Sequence, residues 1–302
     1  MGVVVVGPVF YGGRMRMNLL SPPSTPPSPS TPSNATRGRM NINATHRFAI
    51  WAAEQQAVLD ECYGWIRDGK HTYTERVPRS ARVLGGFTSQ YRQDMLIWKH
   101  LFNSTTSAVD DDGRPRVYVE AAAAHHKMIS NSYFFDRCLH WRGLCVEPNP
   151  IYHAGLRTHR RCELAPTCAS ESVEEVEMYL PSSSVWEAVY GGAATSPKIL
   201  GMLRRHHNGT RAAAAFTRTR LLCVRLQDEF DRMRFQRIDV LFMDMEGSEG
   251  AALRSIDFAR TQIDYVVCEW TRCNDVLEAH GFVQFKLPTW AGTDLLWRRG
   301  SR

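Results

Sequence analysis

The sequence predicts an α/β protein built on a doubly wound, mainly parallel sheet. From residue 116 onward, short apolar segments alternate with helical patterns that are about 10 to 15 residues long. Strands separated by helices of that length are typical of parallel sheets that carry helices on both faces. The last two apolar segments, 281–287 and 293–299, are joined only by PTWAG. So short a connection predicts an antiparallel closing pair.

The individual elements follow from hydrophobic periodicity and from the residues that begin and end them. A helix is predicted over 47–67, ending at Gly64 or Gly69, and a second over 89–102 with Ser89 as its N-cap. The segment 181–218 is rich in Ser, Gly and Ala and predicts a long irregular cover. The predicted strands are 116–120, 143–147, 162–170, 173–180, 220–226, 238–246, 263–270, 281–287 and 293–299, and the predicted helices among them are 128–141, 148–160 and 248–260.

Composition divides the chain into three parts. Residues 1–45 include the run SPPSTPPSPSTPS and are predicted to be a disordered, Pro/Ser-rich tail, because they cannot bury enough apolar surface to fold. Residues 46–86 are predicted to be an N-terminal helical extension, and residues 87–300 the folded domain.

The charge distribution gives no electrostatic case for a nucleic-acid partner. Residues 1–50 contain five arginines and no lysine, aspartate or glutamate, so they carry +5 of the net charge of +6. The rest of the chain is nearly neutral and lacks the basic surface that phosphate binding requires. No stretch approaches the roughly 18 uninterrupted apolar residues that a membrane span needs, so we expect none.

Four glycosylation sequons bear on the compartment: Asn34-Ala-Thr, Asn43-Ala-Thr, Asn103-Ser-Thr and Asn208-Gly-Thr. They favour a glycoprotein of the secretory pathway, such as a resident of the Golgi lumen. A cytoplasmic location is the alternative, because MGVVVVGPVF lacks the basic n-region of a good signal peptide.

The eight cysteines show no C-x-x-C pair and no zinc-ribbon spacing, so no structural metal is predicted. Four of them lie within apolar, strand-like segments. Those four, Cys145, Cys168, Cys223 and Cys268, are predicted to be small buried hydrophobes.

Acidic residues follow the predicted strands at the sheet edge where ligands of α/β proteins bind. Glu147 comes directly after the second strand, where a carboxylate can accept both hydroxyl hydrogens of a ribose. The residues at the other strand ends are Glu120, Glu171, Asp244, Glu246 and Glu269.

Asp244, Glu246 and Glu269 are the candidate catalytic residues. Carboxylates at the ends of neighbouring strands converge, and they could take a proton from a hydroxyl group or hold a divalent cation that lowers its pKa. A divalent cation is therefore compatible with the site, but nothing in the spacing specifically indicates one. For Glu246 the alternative is a cap on the helix that follows at GSEGAAL.

Taken together, several segments resemble the FkbM family of S-adenosylmethionine-dependent methyltransferases. The segments are SQYRQDMLIWKHLF, VYVEAAAAHHKMISNSYFFDRCLHWRGLCVEPNP, LAPTCASESVEEVEMYL, IDVLFMDMEGSEGAALRSIDF and TDLLWRR, and they cover roughly 87–298 in the family's order. VEPNP and DMEGSE, which fits the pattern D-x-E-G-x-E, are the most specific. The resemblance implies a class I methyltransferase-like, Rossmann-type fold and methyl transfer to a hydroxyl of a small molecule or glycan, such as a sugar or a natural product.

The resemblance also assigns roles to particular residues. It implies that Glu147 holds the cofactor ribose, that Glu171 contacts the adenine side and that Glu120 is the acidic residue of the first cofactor-binding motif. It matches Asp244, Glu246 and Glu249 to the three carboxylates of D-x-E-G-x-E.

The loop after the first strand departs from the family pattern, acidic-x-Gly-Ala-Asn-x-Gly. Ala122 and His126 replace the glycines, and Ala124 replaces the asparagine. Ala122 is harmless if its φ is negative, whereas a positive φ would introduce strain on the order of 1 kcal/mol. We still count Ala122 among the residues that bind the cofactor.

Three other side chains in this region have two interpretations each. His125 and His126 could act as a base or as metal ligands, or they could begin a helix, with one imidazole capping the backbone and the other solvated. Asn131, with Ser130, could face the methionine carboxylate of the cofactor, or it could be an ordinary polar residue of the helix surface.

Two other functions compete with methyl transfer. Loss of the loop glycines would suit a catalytically silent binding protein that keeps the methyltransferase fold. A nicotinamide-dependent oxidoreductase also places Glu after the second strand, but it needs the motif G-x-G-x-x-G, which this sequence lacks.

Overall fold

A computed structural model describes residues 5–11, 14–20, 62, 86–103, 105–182, 191–196, 199–200, 216–290 and 292–300. Its strands are β1 Val5–Tyr11, β2 Arg14–Leu20, β3 Val117–Ala121, β4 Arg142–Val146, β5 Glu163–Ala165, β6 Glu174–Pro181, β7 Gly192–Ala193, β8 Phe216–Cys223, β9 Arg237–Met243, β10 Gln262–Glu269, β11 Phe282–Phe285 and β12 Asp294–Arg299. Its α-helices are α1 Gln93–Leu101, α2 Pro150–His159, α3 Leu226–Met233, α4 Glu249–Arg254 and α5 Asn274–Ala279. Its other helical elements with described bounds are a π-helical turn, Phe134–Cys138, and a 3₁₀ turn, Trp270–Cys273, and the described residues 62 and 199–200 are helical as well.

Seven strands form the central sheet in the order β11-β12-β10-β9-β3-β4-β5. β12 runs antiparallel to both of its neighbours, and the remaining pairs are parallel. This arrangement confirms the predicted α/β fold, the mainly parallel sheet and the antiparallel closing strand. After β3 the chain first adds strands on one side and then, from β9, on the other. The crevice at the carboxyl ends of β3 and β9 is therefore where a ligand is expected.

Helices pack on both faces of the sheet because its central strands are buried on both sides. In β3, Val117 and Val119 point into one hydrophobic cluster, while Tyr118 points into the other. The first cluster is closed by α3, α4 and α5, for example through Phe230, and the second by α1, α2 and the π-helical turn, for example through Trp98. This is the reason that the strands read as continuous apolar runs rather than as alternating ones.

The start of α1 differs from the prediction. Ser89 does not cap the helix, which begins at Gln93 after Arg92 in a left-handed conformation with φ of 65°. Instead, the Ser89 hydroxyl donates to Asp94, which also accepts from the backbone N–H of Thr88 at 2.8 Å. Burial raises the pKa of Asp94 to about 6 despite these hydrogen bonds. The polar residues 88–94 therefore build a fixed turn ahead of the helix.

The predicted helix 128–141 is reduced to the π-helical turn Phe134–Cys138, because the residues before it form a loop. Helices α3 and α5, of eight and six residues, were not predicted because they are too short to show a clear period. The predicted strand 162–170 shortens to β5, and 173–180 corresponds to β6. β6 pairs with β7 and β8 in a separate three-stranded sheet.

Cys145, Cys168, Cys223 and Cys268 are buried as predicted, but they are not unpaired hydrophobes, because all eight cysteines are paired in disulfides. The pairs are Cys62–Cys138, Cys145–Cys162, Cys168–Cys223 and Cys268–Cys273. Their sequence separations of 76, 17, 55 and 5 residues show no common spacing, so only the fold brings the partners together. Four disulfides are typical of oxidising compartments and are consistent with a secreted or lumenal protein. No helix among the described residues has the length and apolar character needed to cross a membrane.

Two predictions for the N-terminal part concern residues that the structure describes only in places. Within the predicted tail 1–45, β1 and β2 pair as an antiparallel hairpin that the sequence analysis did not anticipate. The Pro/Ser run 21–33 and the helix predicted over 47–67 lie outside the described residues, apart from the helical Cys62. The division into three domains remains a prediction.

Candidate functional site

A cavity of about 540 Å³ opens at the carboxyl ends of β3, β4, β9 and β10. Its volume falls within the range of roughly 300 to 1,000 Å³ that is usual for small-molecule sites. With the exception of Glu171, the candidate site residues all line it: Glu120, Ala122, Asn131, Glu147, Asp244, Glu246 and Glu269. The sheet edge thus brings together side chains that are up to about 150 positions apart in the sequence.

Glu120, at the end of β3, holds the loop that follows it. Its buried carboxylate accepts hydrogen bonds from the Ser130 hydroxyl at 2.9 Å, the Asn131 backbone N–H at 2.6 Å and the Ser132 hydroxyl at 2.6 Å. These contacts join β3 to residues 130–132 and close the loop over the sheet edge. Most of the hydrogen-bonding capacity of this carboxylate is therefore directed at the protein itself.

Arg160 also holds this loop through hydrogen bonds. The sequence analysis did not single it out. Its guanidinium group is completely buried and donates to Asp136, to Ser132 Oγ at 2.6 Å and to Ser130 Oγ at 3.1 Å. It also donates to the carbonyl oxygen of His126 at 3.3 Å. A buried charge of this kind is tolerated only when it is paired and hydrogen-bonded throughout.

The alanine-rich loop resolves the question about Ala122. Ala122 has a φ of 62°, and Ala124 and Ile129 have φ values of 48° and 56°, so three residues without glycine's freedom adopt the left-handed region. Each such residue costs on the order of 1 kcal/mol. Backbone hydrogen bonds from Ala123 to Val146 O at 3.1 Å and from Ala124 to Glu147 Oε2 at 2.7 Å hold the loop in place.

Glu147 stands at the end of β4 and is almost completely buried. Its two oxygens accept from the backbone N–H groups of Ala124 and Asn149, each at 2.7 Å. Burial nevertheless raises the pKa of this carboxyl to about 7, and the charge of Glu120 adds to the effect. A carboxylate has about four acceptor positions, so Glu147 keeps capacity for ligand hydroxyls on the cavity side.

The two histidines of the loop do not line the cavity. His125 Nδ1 accepts from the backbone N–H of Lys127 at 3.1 Å and of Met128 at 2.9 Å, which agrees with the capping alternative. His126 stacks between His125 and His159, with ring centroids 4.1 and 4.4 Å away. Burial and the neighbouring histidines lower the pKa of His126 to about 4.

Asn131 lines the cavity, and its contact with the methionine part of the cofactor stays a prediction. Its backbone is fixed by Glu120, and its side-chain Oδ1 is buried and accepts no hydrogen bond from the described part of the chain. Buried polar atoms are rarely left without a partner, so this oxygen is positioned to accept from a ligand. Ser130, in contrast, is committed to Glu120 and Arg160.

Asp244, Glu246 and Glu269 meet at the ends of the neighbouring strands β9 and β10. One carboxylate oxygen of each lies within 4.8 Å of the others, a separation that a single metal ion can span. Glu246 and Glu269 are buried, and Asp244 is partly exposed. Glu269 accepts from Trp270 Nε1 at 3.1 Å and from Arg272 Nη1 at 3.0 Å, which fixes its orientation.

The turn after β9 is held by Glu249. Its carboxylate accepts from the backbone N–H of Met245 at 2.9 Å and of Gly247 at 3.1 Å, and Arg272 Nη1 lies 3.4 Å from it. Within this turn Glu246 takes a φ of 56° and Gly247 a φ of 112°. The N-cap of α4 is Ser248 rather than Glu246, and the Glu246 side chain lines the cavity.

The structure places Glu171 apart from the other candidates. It is exposed on a bend after β5 and forms an ion pair with Arg254 of α4 at 2.6 Å. A second cavity of about 520 Å³ adjoins the first, and Ala122, Pro148 and Gly191 line both. Its wall at the end of β5 is formed by the neighbouring Ser170 rather than by Glu171.

Some lining residues come from segments that sequence reasoning did not connect with the site. Tyr91 precedes α1, Asp294 begins β12, and Trp270 follows Glu269. Trp270 lines the cavity, is half exposed and has a φ of 57°. The unusual backbone conformation had no signal in the sequence, and only the closing strand β12 brings Asp294 beside Glu269.

The sheet order, the closing antiparallel strand and the carboxylate-lined cavity define a methyltransferase-like α/β protein. The family model of the methyltransferase FkbM domain matches residues 120–287, which is more than half of the chain. The chain therefore belongs to the FkbM methyltransferase family. The match runs from Glu120, at the end of β3, to just beyond β11, so it leaves out α1 and β12. No curated protein and no solved structure gives a significant match.

Proposed function

We propose that the protein transfers a methyl group from S-adenosylmethionine to a hydroxyl oxygen of a small molecule or glycan. The observation that carries the proposal is the meeting of Asp244, Glu246 and Glu269 in a cavity that Glu147 also lines. The three carboxylates suit an acceptor hydroxyl, and Glu147 suits the ribose of a nucleoside.

The residues present fit the cofactor. Glu147 has spare acceptor capacity for the two ribose hydroxyls, and the buried Oδ1 of Asn131 would accept from the ammonium group of the methionine part. The adenine would enter the adjoining cavity past Ala122 and Pro148, where Ser170, in the segment after β5, is one of the polar lining residues. This proposal moves the adenine contact from Glu171 to Ser170.

The cofactor supplies an electrophilic methyl group bonded to a sulfonium sulfur. The chain's own residues orient the acceptor and accept the proton of its hydroxyl group as the oxygen becomes nucleophilic. Glu246 and Asp244 are the proposed proton acceptors, while Arg272 and Trp270 hold Glu269 against the same space. The three carboxylates would also fit a divalent cation, which would lower the pKa of a bound hydroxyl.

Calorimetric titration with S-adenosylmethionine tests the proposal, with NAD as the control ligand. We expect binding of the first and not of the second. Glu147→Ala should weaken binding by roughly 1.5 to 3 kcal/mol, the range for hydrogen bonds to a charged group. Unchanged affinity in this variant would remove Glu147 from the cofactor site.

A second variant separates catalysis from binding when cofactor affinity and methyl transfer are both measured. Asp244→Asn keeps the shape of the side chain, so we expect it to retain cofactor affinity and to lose most methyl transfer, measured as S-adenosylhomocysteine released with an acceptor. Chelation with EDTA distinguishes the two roles of the carboxylates, since only a cation-assisted reaction would stop. Full turnover in Asp244→Asn would contradict the assignment.

The catalytically silent binding protein is the second candidate, and the left-handed alanines of the cofactor loop favour it. If the protein is a silent descendant whose other cofactor contacts are also lost, neither the parent chain nor its glycine variants would bind S-adenosylmethionine. Binding by the parent chain would reject this candidate.

A further inference from the structure

Asn103 is presented to solvent by a tight turn at the end of α1. The backbone N–H of Thr105 donates to Phe102 O at 2.8 Å, and Trp98 Nε1 donates to Thr105 O at 2.7 Å. Phe102 and Trp98 are buried beneath the turn, whereas Asn103 is exposed and has a φ of 49°. The turn therefore anchors both flanks of Asn103 and leaves its side-chain amide accessible. Asn103-Ser-Thr105 has the N-x-Ser/Thr pattern of a glycosylation acceptor.

The disulfides supply an independent indication of the compartment. All eight cysteines are paired, and the pairs tie together distant parts of the chain, such as Cys168 at the end of β5 and Cys223 at the end of β8. Such pairing persists in the secretory lumen and is rare in the reducing cytosol. N-glycosylation takes place in that same lumen.

The position of Asn103 leaves the cavity open. Asn103 lines a wide cleft with Arg116, Arg237 and Asp264, which lie at or near the amino ends of β3, β9 and β10. The candidate site lies at the carboxyl ends of the same strands. A bulky glycan on Asn103 would therefore project from the opposite edge of the sheet.

We infer that Asn103 carries an N-linked glycan. The donor is an oligosaccharide joined through a pyrophosphate to a lipid carrier. The Asn103 amide nitrogen forms a bond to the anomeric carbon, the bond from that carbon to the phosphate oxygen breaks, the lipid pyrophosphate leaves, and the amide proton passes to solvent. The sequons at Asn34, Asn43 and Asn208 lie outside the described residues, and the inference concerns Asn103 alone.

The test is mass spectrometry of the peptide that contains Asn103, after expression of the full chain in eukaryotic cells. Enzymatic removal of the glycan in ¹⁸O-water converts a glycosylated Asn to ¹⁸O-labelled Asp, and we expect that label at Asn103. Asn103→Gln and Thr105→Ala should each shift the protein by the mass of one glycan. Thr105→Ser and Ser104→Ala preserve the sequon and should keep the glycan.

Three outcomes would overturn the inference. The first is an unmodified Asn103 peptide from protein whose disulfides are formed. The second is an unmodified peptide from protein whose cysteines are all free thiols, which would show that the chain does not mature in the lumen. Loss of the glycan in Ser104→Ala as well would show that folding, rather than the sequon, was disturbed, and the assignment of the modification to the sequon would then be wrong.

Discussion

Replacing Ala122 by glycine tests whether the cofactor loop is strained. The φ of 62° places Ala122 in the left-handed region, where an L-residue costs about 1 to 2 kcal/mol. Glycine removes that penalty but increases the entropy of the unfolded chain by about 0.5 to 1 kcal/mol. We therefore expect Ala122→Gly to range from neutral to about 1.5 kcal/mol more stable than the parent.

Ala123→Gly is the matched control, because the neighbouring residue is buried and has no positive φ. Glycine there gives the same unfolded-state entropy without relieving strain, and it removes a buried methyl group worth about 0.8 kcal/mol. The control should lose about 1 to 2 kcal/mol. Thermal unfolding measures the stability change of both variants, since 1 kcal/mol shifts the melting temperature of a domain of this size by about 2 to 4 °C.

Cofactor affinity gives a second readout of the same substitution. The methyl group of Ala122 borders both cavities, so removing it should admit S-adenosylmethionine more easily and tighten binding several-fold. Calorimetry on parent, Ala122→Gly and Ala123→Gly in one buffer measures the difference. If Ala122→Gly is destabilised as much as the control and binds no more tightly, Ala122 is not left-handed in solution and the reasoning fails.

Four shorter predictions follow from other contacts. Burial raises the pKa of Glu147 from its usual value of 4.5 to about 7. Between these two pH values the Glu147 carboxyl is protonated in the folded state and ionised in the unfolded state. Stability should therefore fall as pH rises through that window while cofactor affinity rises, and Glu147→Gln should flatten both profiles, measured by melting and calorimetry. Arg160→Lys cannot reproduce the forked contacts of the buried guanidinium and should lower stability by about 3 kcal/mol or more, measured by urea unfolding. The double variant Cys268→Ala/Cys273→Ala removes the disulfide whose short loop contains Glu269. Methyl transfer should therefore fall more than cofactor affinity does, measured by activity assay and calorimetry. Deleting residues 1–45 should leave melting temperature and cofactor affinity unchanged, and a loss of several degrees would show that this segment docks on the domain.

The sheet could be predicted from the sequence because its strands are buried on both faces. Short stretches such as 240–243 are apolar throughout, and their spacing by helical patterns indicates that the strands run parallel. The carboxyl ends of the strands then gave five of the six acidic lining residues, since acidic residues at the ends of the central strands reach the same edge. Glu147 and Asp244 were found in this way.

The elements that escaped prediction depend on contacts between distant residues. Arg160, at the end of α2, supports the site through its contact with Ser130. Asp294 lines the site because β12 pairs with β10. The disulfides have the same origin. The helix predicted over 128–141 fails for another reason, since Glu120 captures the backbone and hydroxyl groups of residues 130–132 and holds them as a loop.

The same capture explains how the loop can do without glycine. Three left-handed residues in 122–129 together cost on the order of 3 kcal/mol. Against this, Glu120 accepts three hydrogen bonds from 130–132, Glu147 accepts one from Ala124, and Arg160 adds several more. Hydrogen bonds to charged groups contribute roughly 1.5 to 3 kcal/mol each, so a few of them outweigh the backbone penalty. Glycine permits the left-handed conformations at little cost, whereas here a buried charge network imposes them. The shape of the cofactor loop should therefore depend on Arg160 and Glu120 far more than on the residue at position 122.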